Sequence, residues 1–316
     1  MHVLVTGGTG FIGREILREL DAAGHSIRLL VRKADSPTVQ EIVRLYQAEV
    51  REGNVLDTTS LAHAMPGADA IIHLVGIITE FGDQTFENVH VRATQNMVHA
   101  ALVAGVRRFV HMSALGTRPN AESRYHQTKW AAECIVNEST LDWTIFRPSI
   151  IYGRQDQFLN TFVRMSEWSP VLPLLGRRQA AFQPIAVQDV AQCFVRALEE
   201  PRAYRQTFDL CGPDRLTLAE MIRKVLTVTG RKCWLMHVDD DIATVLARVL
   251  EFVYPRLLRK PPPLTRDQLR MLKEDNAGEV TWPLDLFQLK PVPFSEGILR
   301  YLPPAGPAVK PRSRTP

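Results

Sequence analysis

Residues 2 to 13 read His-Val-Leu-Val-Thr-Gly-Gly-Thr-Gly-Phe-Ile-Gly, an apolar run that passes directly into glycines at Gly7, Gly10 and Gly13. A helical pattern follows from Arg14 to Ala23, with Gly24 as its stop. A glycine at the first position lets a strand turn sharply into a helix. The second lets the backbone approach a bulky anionic group, and the third lets helix and strand pack closely. Unpaired N–H groups at the helix N-terminus, reinforced by the helix dipole, then favour a phosphate. The motif in this context predicts a dinucleotide site at the start of an α/β sheet, with Phe11 and Ile12 inside the turn.

The chain has 316 residues, 45% of them hydrophobic, enough to bury one large core or two smaller ones. Short apolar strands are predicted at Ser26 to Val31, Ala70 to Val75, Arg108 to Met112 and Trp143 to Phe146. Between them lie helical periods. Val89, Ala93, Met97, Ala100 and Ala104 mark a helix from Phe86 to Ala104 that stops at Gly105. Strands alternating with helices at this spacing imply an α/β fold, a Rossmann-type doubly wound parallel sheet covered on both faces. Residues 1–153 are read as the nucleotide-binding domain. From 154 to 302 the alternation becomes irregular and prolines accumulate, which predicts a smaller C-terminal α/β region on the substrate side, with some elements returning to the sheet. Residues 303–316 are proline-rich and basic and read as a disordered tail.

Net charge is +4 with a pI near 8.9, but the positive charge is dispersed. No basic face with interleaved aromatics appears, so nucleic acid is not an expected partner. Cys134, Cys193, Cys211 and Cys233 lie far apart without Cys-x-x-Cys spacing and read as buried thiols in a reducing compartment. No metal site is expected. A strand that starts at residue 2 leaves no room for a leader, and no apolar run reaches the roughly 20 residues of a membrane span, so a cytoplasmic protein is expected.

Arg32 and Lys33 follow the second strand. An acidic residue there would hold free ribose hydroxyls, whereas a guanidinium engages a 2′-phosphate bidentately. NADP(H) is therefore expected over NAD(H), with a solvated loop as the plain alternative. Farther on, Tyr125-His-Gln-Thr-Lys129 opens a helix and places phenol and ammonium on one face. The ammonium and the helix N-terminus are expected to stabilise phenolate, fitting Tyr125 to exchange a proton with a carbinol oxygen.

With the runs Arg147 to Gly153 (RPSIIYG) and Pro184 to Ala191 (PIAVQDVA), these motifs resemble the extended and atypical short-chain dehydrogenase/reductase superfamily over about residues 1 to 300. The loop Met112 to Gly116 and the late Leu264 to Gln268 helix look most like the branch containing the NAD(P)H-binding accessory subunit of respiratory complex I and its bacterial relatives. The resemblance implies that Gly7, Gly10 and Gly13 bind phosphate, and that Asn54 and Val55 contact adenine, although an aspartate is more usual where Asn54 stands. It further implies that Val75 and Gly76 line the nicotinamide half and that Pro148 to Ile151 border the carboxamide. Tyr125 and Lys129 match the catalytic pair, Lys129 also reaching the nicotinamide ribose.

Two departures bear on function. Active members carry a Ser or Thr beside the tyrosine; here Ser113 falls one position early and Ala114 takes the usual place. A missing donor of that kind is worth about 3 kcal/mol, and Ser113 serves as third member only if the shortened loop shifts register. Phe182 stands where nucleotide-sugar enzymes carry an arginine, and the loop Trp168 to Leu175 is apolar. A small apolar or quinone-related compound, or a nucleotide held structurally, fits better than a nucleotide sugar. Arg177 and Arg178 keep open the alternative, a sugar-nucleotide epimerase, dehydratase or reductase with Tyr125 as acid/base. Finally, the apolar helix Ile242 to Tyr254 leads into Arg256, Arg259 and Lys260. It suits a substrate-cleft cover, a partner in a protein complex or a peripheral membrane contact.

Overall fold

Strand β1 (His2–Thr6) is buried on both faces, as a central strand in a parallel sheet must be. The structure, a computed structural model, describes residues 1–278 and 285–302; the expected tail at 303–316 lies outside the described residues. The chain continues through α1 (Phe11–Ala22), β2 (Ser26–Val31), α2 (Pro37–Tyr46), β3 (Glu49–Glu52), α3 (Thr58–Ala64) and β4 (Ala70–His73). It then forms α4 (Ala93–Ala104), β5 (Arg108–Met112), α5 (Arg124–Asn137) and β6 (Asp142–Pro148). Gly24 and Gly105 both take positive φ where the sequence places helix stops.

Beyond residue 150 come β7 (Ile151–Tyr152), α6 (Phe158–Trp168), β8 (Val171–Leu174), β9 (Ala181–Phe182), β10 (Ile185–Ala186) and α7 (Val187–Arg196). They are followed by β11 (Gln206–Leu210), β12 (Leu216–Thr217), α8 (Leu218–Val228), β13 (Trp234–His237), α9 (Asp240–Val253) and α10 (Arg266–Lys273). Among the described residues the main sheet runs β11-β6-β5-β4-β1-β2-β3, every neighbouring pair parallel. Strand order reverses between β1 and β4, which opens a crevice beyond their carboxyl ends.

One face of the sheet packs Val3, Val5, Ile72 and Phe146 against α1, α2 and α7. The other packs Leu4, Ile71, Phe109 and Ile145 against α3, α4 and α5. Helix α7 and strand β11 thus return to the sheet, while a separate cluster around Tyr152, Leu172, Ile222 and Phe294 forms the core of the cover. The segment expected to be an apolar loop from Trp168 to Leu175 is instead the end of α6 and strand β8, paired with β13. Pro173 is tolerated because β8 lies in a two-stranded ribbon, where a missing donor can face outward, and Pro170 precedes the strand with its carbonyl accepting from the Trp234 N–H at 2.7 Å.

Helix α5, which carries Tyr125 and Lys129, is tied to the sheet by a buried ion pair. Glu133 is fully buried and accepts from Arg147 Nε at 2.8 Å and Nη2 at 2.5 Å. Removing Glu133 leaves the Arg147 guanidinium partly desolvated, without its bidentate partner and with Asp209 as the remaining acidic neighbour. Glu133→Ala should therefore lower urea-unfolding stability by roughly 3 kcal/mol, and a loss under about 0.5 kcal/mol would contradict this anchoring role.

Candidate functional site

The turn between β1 and α1 closes with the Gly10 N–H donating to the Gly7 carbonyl at 3.1 Å. Gly7 has φ +75°, a conformation that favours glycine. A Cβ on Gly13 would lie 2.3 Å from the Gly7 oxygen and 2.6 Å from Gly8 Cα, so only a glycine lets α1 approach this closely. Gly10 caps α1 without a side-chain acceptor, leaving the N–H groups of Phe11, Ile12 and Gly13 for an anion. These residues fit a pyrophosphate.

At the adenine end, the Gly53 N–H donates to Val31 O at 2.8 Å, which sets the ends of β2 and β3 side by side and brings Arg32 near Asn54. Arg32 and Lys33 are exposed. Asn54 Oδ1 accepts from the Leu56 N–H at 3.0 Å, so Asn54 offers NH₂ donors where an aspartate would offer acceptors. The Val55 carbonyl is held by Asn96 Nδ2 at 3.1 Å.

At the other end, a Cβ on Gly7 would lie 3.3 Å from Val75 N, and one on Gly76 would lie 3.2 Å from Lys129 Nζ. Lys129 Nζ donates to Met112 O at 2.9 Å. The glycine turn, Val75, Gly76 and Lys129 are therefore neighbours along the crevice beyond β1 and β4, the trough in which this topology binds ligands. Gly153 packs on the Phe11 ring, its Cβ position 3.0 Å from Phe11 Cε2, and in the segment before it Pro148 is buried and Ile151 half-buried.

The structure corrects one expectation about Tyr125. Burial pushes its hydroxyl up to about 12 instead of lowering it. The ring sits edge-on to Phe86, His90 and His126, with centroids 5.9, 5.4 and 5.3 Å away. Burial also lowers Lys129 to about 8, and its ammonium gives one of its three donors to the Met112 carbonyl. Desolvation thus outweighs the helical spacing that suggested an activated phenolate. Ser113 continues the β5 ladder, its N–H donating to Phe146 O at 2.7 Å, and its hydroxyl lies 3.4 Å from Thr117 Oγ1. No hydrogen bond joins Ser113 to Tyr125 among the described residues.

Two neighbours of Tyr125 had no readable signal in one dimension. A π-helical turn, Glu87–Arg92, precedes α4 and carries the buried His90 against Tyr125. His90 Nδ1 lies 2.9 Å from Thr128 Oγ1, and its Nε2 lies about the Ile77 backbone at 3.1 to 3.2 Å. From α10, Asp267 accepts from the Arg124 N–H at 2.8 Å and the Tyr125 N–H at 3.0 Å, clamping the start of α5. Arg177, a candidate sugar-pyrophosphate group, is paired with Asp275, and Phe182 is buried in the cover core.

A family model described as NAD(P)H-binding matches residues 7–201, and the chain belongs to that family. It is 30% identical over 230 residues to NADH dehydrogenase (ubiquinone) 1 alpha subcomplex subunit 9, mitochondrial, of Mus musculus, covering 72% of this chain and 61% of that protein. The chain thus spans about three-fifths of that relative's length. It is also 30% identical over 238 residues to a ceramide reductase of Caulobacter vibrioides, covering 75% of this chain and 74% of the relative. The solved structure of a nucleoside-diphosphate-sugar epimerase from Staphylococcus aureus superposes with a TM-score of 0.75 at 17% identity, covering 95% of this chain and 100% of that one. That likeness establishes the Rossmann-like fold.

Beneath the trough, His73, His90 and His111 are buried and neutral. Burial, reinforced by the Lys129 charge, lowers His73 to about 3, His90 to about 2 and His111 well below its ordinary value. Unfolding frees each ring to take a proton near its ordinary pKa of about 6.5. Their contribution to stability is therefore complete above that pH and falls below it by about 1.4 kcal/mol per pH unit for each ring. Urea unfolding should show a loss of roughly 3 to 4 kcal/mol between about pH 7.5 and about pH 5.5. Unchanged stability over that range would contradict the neutral assignment.

Proposed function

We propose that this chain binds NADP(H) and works in the direction of reduction, on a small apolar carbonyl or quinone-related compound. The observation that carries this reading is the placement of Tyr125, packed edge-on to Phe86 and His90 on the helix that carries Lys129, where burial raises its pKa to about 12 and leaves a neutral phenol near pH 7. A neutral phenol can give a proton to a carbonyl oxygen as that oxygen gains charge. A sugar epimerase or dehydratase begins by oxidising a hydroxyl and needs the base form, which burial makes costlier to reach.

Bound nicotinamide supplies the hydride. The glycine turn holds the pyrophosphate, and Arg32 reaches the 2′-phosphate. Lys129, beside Gly76, takes the ribose hydroxyls and steadies the phenolate left after proton transfer. The segment after β4 carries exposed Ile78 and Phe81, which suits an apolar substrate. A ceramide reductase among the relatives, and a subunit whose name includes ubiquinone, support the same substrate class. No helix among the described residues is long and apolar enough to cross a membrane. A cytoplasmic site of action, with contact to a complex or a membrane surface, belongs to this proposal.

A second reading, nucleotide held for structure, is favoured by Ala114 at the usual hydroxyl position and by Ser113 turned to Thr117. Titration and single-turnover kinetics separate the two. NADPH should bind at least about tenfold more tightly than NADH, and Arg32→Glu should erase that difference. Oxidation of bound NADPH by members of a carbonyl and quinone panel should fall about a hundredfold in Tyr125→Phe with NADPH affinity unchanged. Equal or tighter NADH binding would sink the cofactor claim. Undiminished turnover in Tyr125→Phe would sink the proposed role of the tyrosine.

A further inference from the structure

Helix α9 is attached to the body by its small side. Ala243 and Ala247, 1% and 0% exposed, pack on Leu269 of α10 with Leu175, Val238 and Leu264 around them. Its large apolar side chains point the other way. Ile242, Val245, Leu246, Val249 and Phe252 recur at spacings of three and four, so they share a face, and each is between 47% and 63% exposed. Leu257 and Leu258 extend the patch through the π-helical turn Tyr254–Leu258. A surface helix ordinarily turns such residues toward the core, and a contiguous exposed apolar face marks an interaction site.

The charge on this element identifies the partner. Arg248, Arg256, Arg259 and Lys260 are exposed and make no ion pair among the described residues. Arg256 lies over the Phe252 ring at 4.2 Å, joining a cation directly to the apolar face. The acidic groups are mostly occupied. Glu251 accepts from the Arg266 N–H at 2.9 Å and Nε at 2.6 Å, Asp240 pairs with Lys273 at 2.9 Å, and Asp239 caps the helix. Asp239 and Asp241 pair with no cation among the described residues, and both lie at the opposite end from Arg256, Arg259 and Lys260. Protein interfaces tend to be depleted of charge at their centres. Aliphatic side chains bordered by unpaired cations instead complement acyl chains beneath anionic headgroups.

We propose that α9 and the turn after it dock this chain on an anionic membrane surface. The apolar face enters the boundary between headgroups and acyl chains, and the four cations meet lipid phosphates. Helix α10 links this face to the site. Its Arg266 holds Glu251 of α9, and the next residue, Asp267, clamps the backbone at Tyr125. Docking would thus set Tyr125 one helix away from the bilayer, where an apolar substrate is concentrated. That consequence rests on the reductase reading; the docking itself does not.

Flotation of the full chain with vesicles tests it. The protein should rise with phosphatidylcholine vesicles containing about 30% phosphatidylglycerol, and about tenfold less with phosphatidylcholine alone or in high salt. The double variant Val249→Asp/Phe252→Asp should reduce the floated fraction about tenfold while its circular dichroism spectrum and urea midpoint stay unchanged, which shows that it folds. Wild-type protein that stays unbound on anionic vesicles would overturn the proposal. So would flotation that survives the double variant, as when the basic stretch Lys310 to Arg314 carries it. A concentration-dependent dimer that the variant dissociates, without vesicle binding, would assign the face to a second copy and overturn it equally. Flotation that depends on Val249 and Phe252 in a protein unable to bind nucleotide would support docking and sink the reductase reading alone.

Discussion

The close approach of α1 to β1 is the constraint on which the rest depends. The Gly7 carbonyl occupies the space where a side chain at position 13 would begin, and that same turn lays Gly7 against Leu74 and Val75 at the end of β4. The crevice where strand order reverses is therefore floored by bare backbone. Donors at the start of α1 lie at its middle, Arg32 at one end, and Gly76 with Lys129 at the other. A bulkier residue at position 7 or 13 would move the helix and part these groups together.

Burial is the second controlling effect, and it acts against intuition drawn from charge alone. Lys129 and three histidines share the layer between the sheet and the helices α4 and α5, and each is held toward its neutral form by loss of water. Both ring nitrogens of His111 are buried without a hydrogen-bond partner among the described residues, consistent with an environment that excludes charge. Tyr125 sits at the edge of this layer and is held protonated by the same effect. Burial thus favours the protonated phenol and raises the cost of forming its phenolate.

Much of this was legible in the chain because it is local. The β1 strand, the glycine turn and the stops at Gly24 and Gly105 depend on residues within a dozen positions of one another, and each lies where expected. Tyr125 and Lys129 share a helix, so their joint placement was readable, but their protonation was not. Desolvation is set by what packs around a side chain, and Phe86 and His90 come from a distant segment. The clamp from Asp267 spans 142 residues to Tyr125 and leaves no local trace. Prolines disguised β8 as a loop because only its pairing with β13 makes it a strand. The π-helical turn was hidden inside an apolar period that continues smoothly from Val89 to Met97.

The central claim is that Tyr125 is held neutral and so serves as a proton donor beside a nucleotide trough. Its ionisation can be read directly from the ultraviolet difference titration of wild-type protein against Tyr125→Phe, with and without NADPH. The account predicts that, in the nucleotide-free protein, the tyrosine titrates near 12, well above its ordinary value of 10.0. Ionisation at or below that ordinary value would contradict the effect of burial, and ionisation near neutral pH would return the site to base-catalysed oxidation.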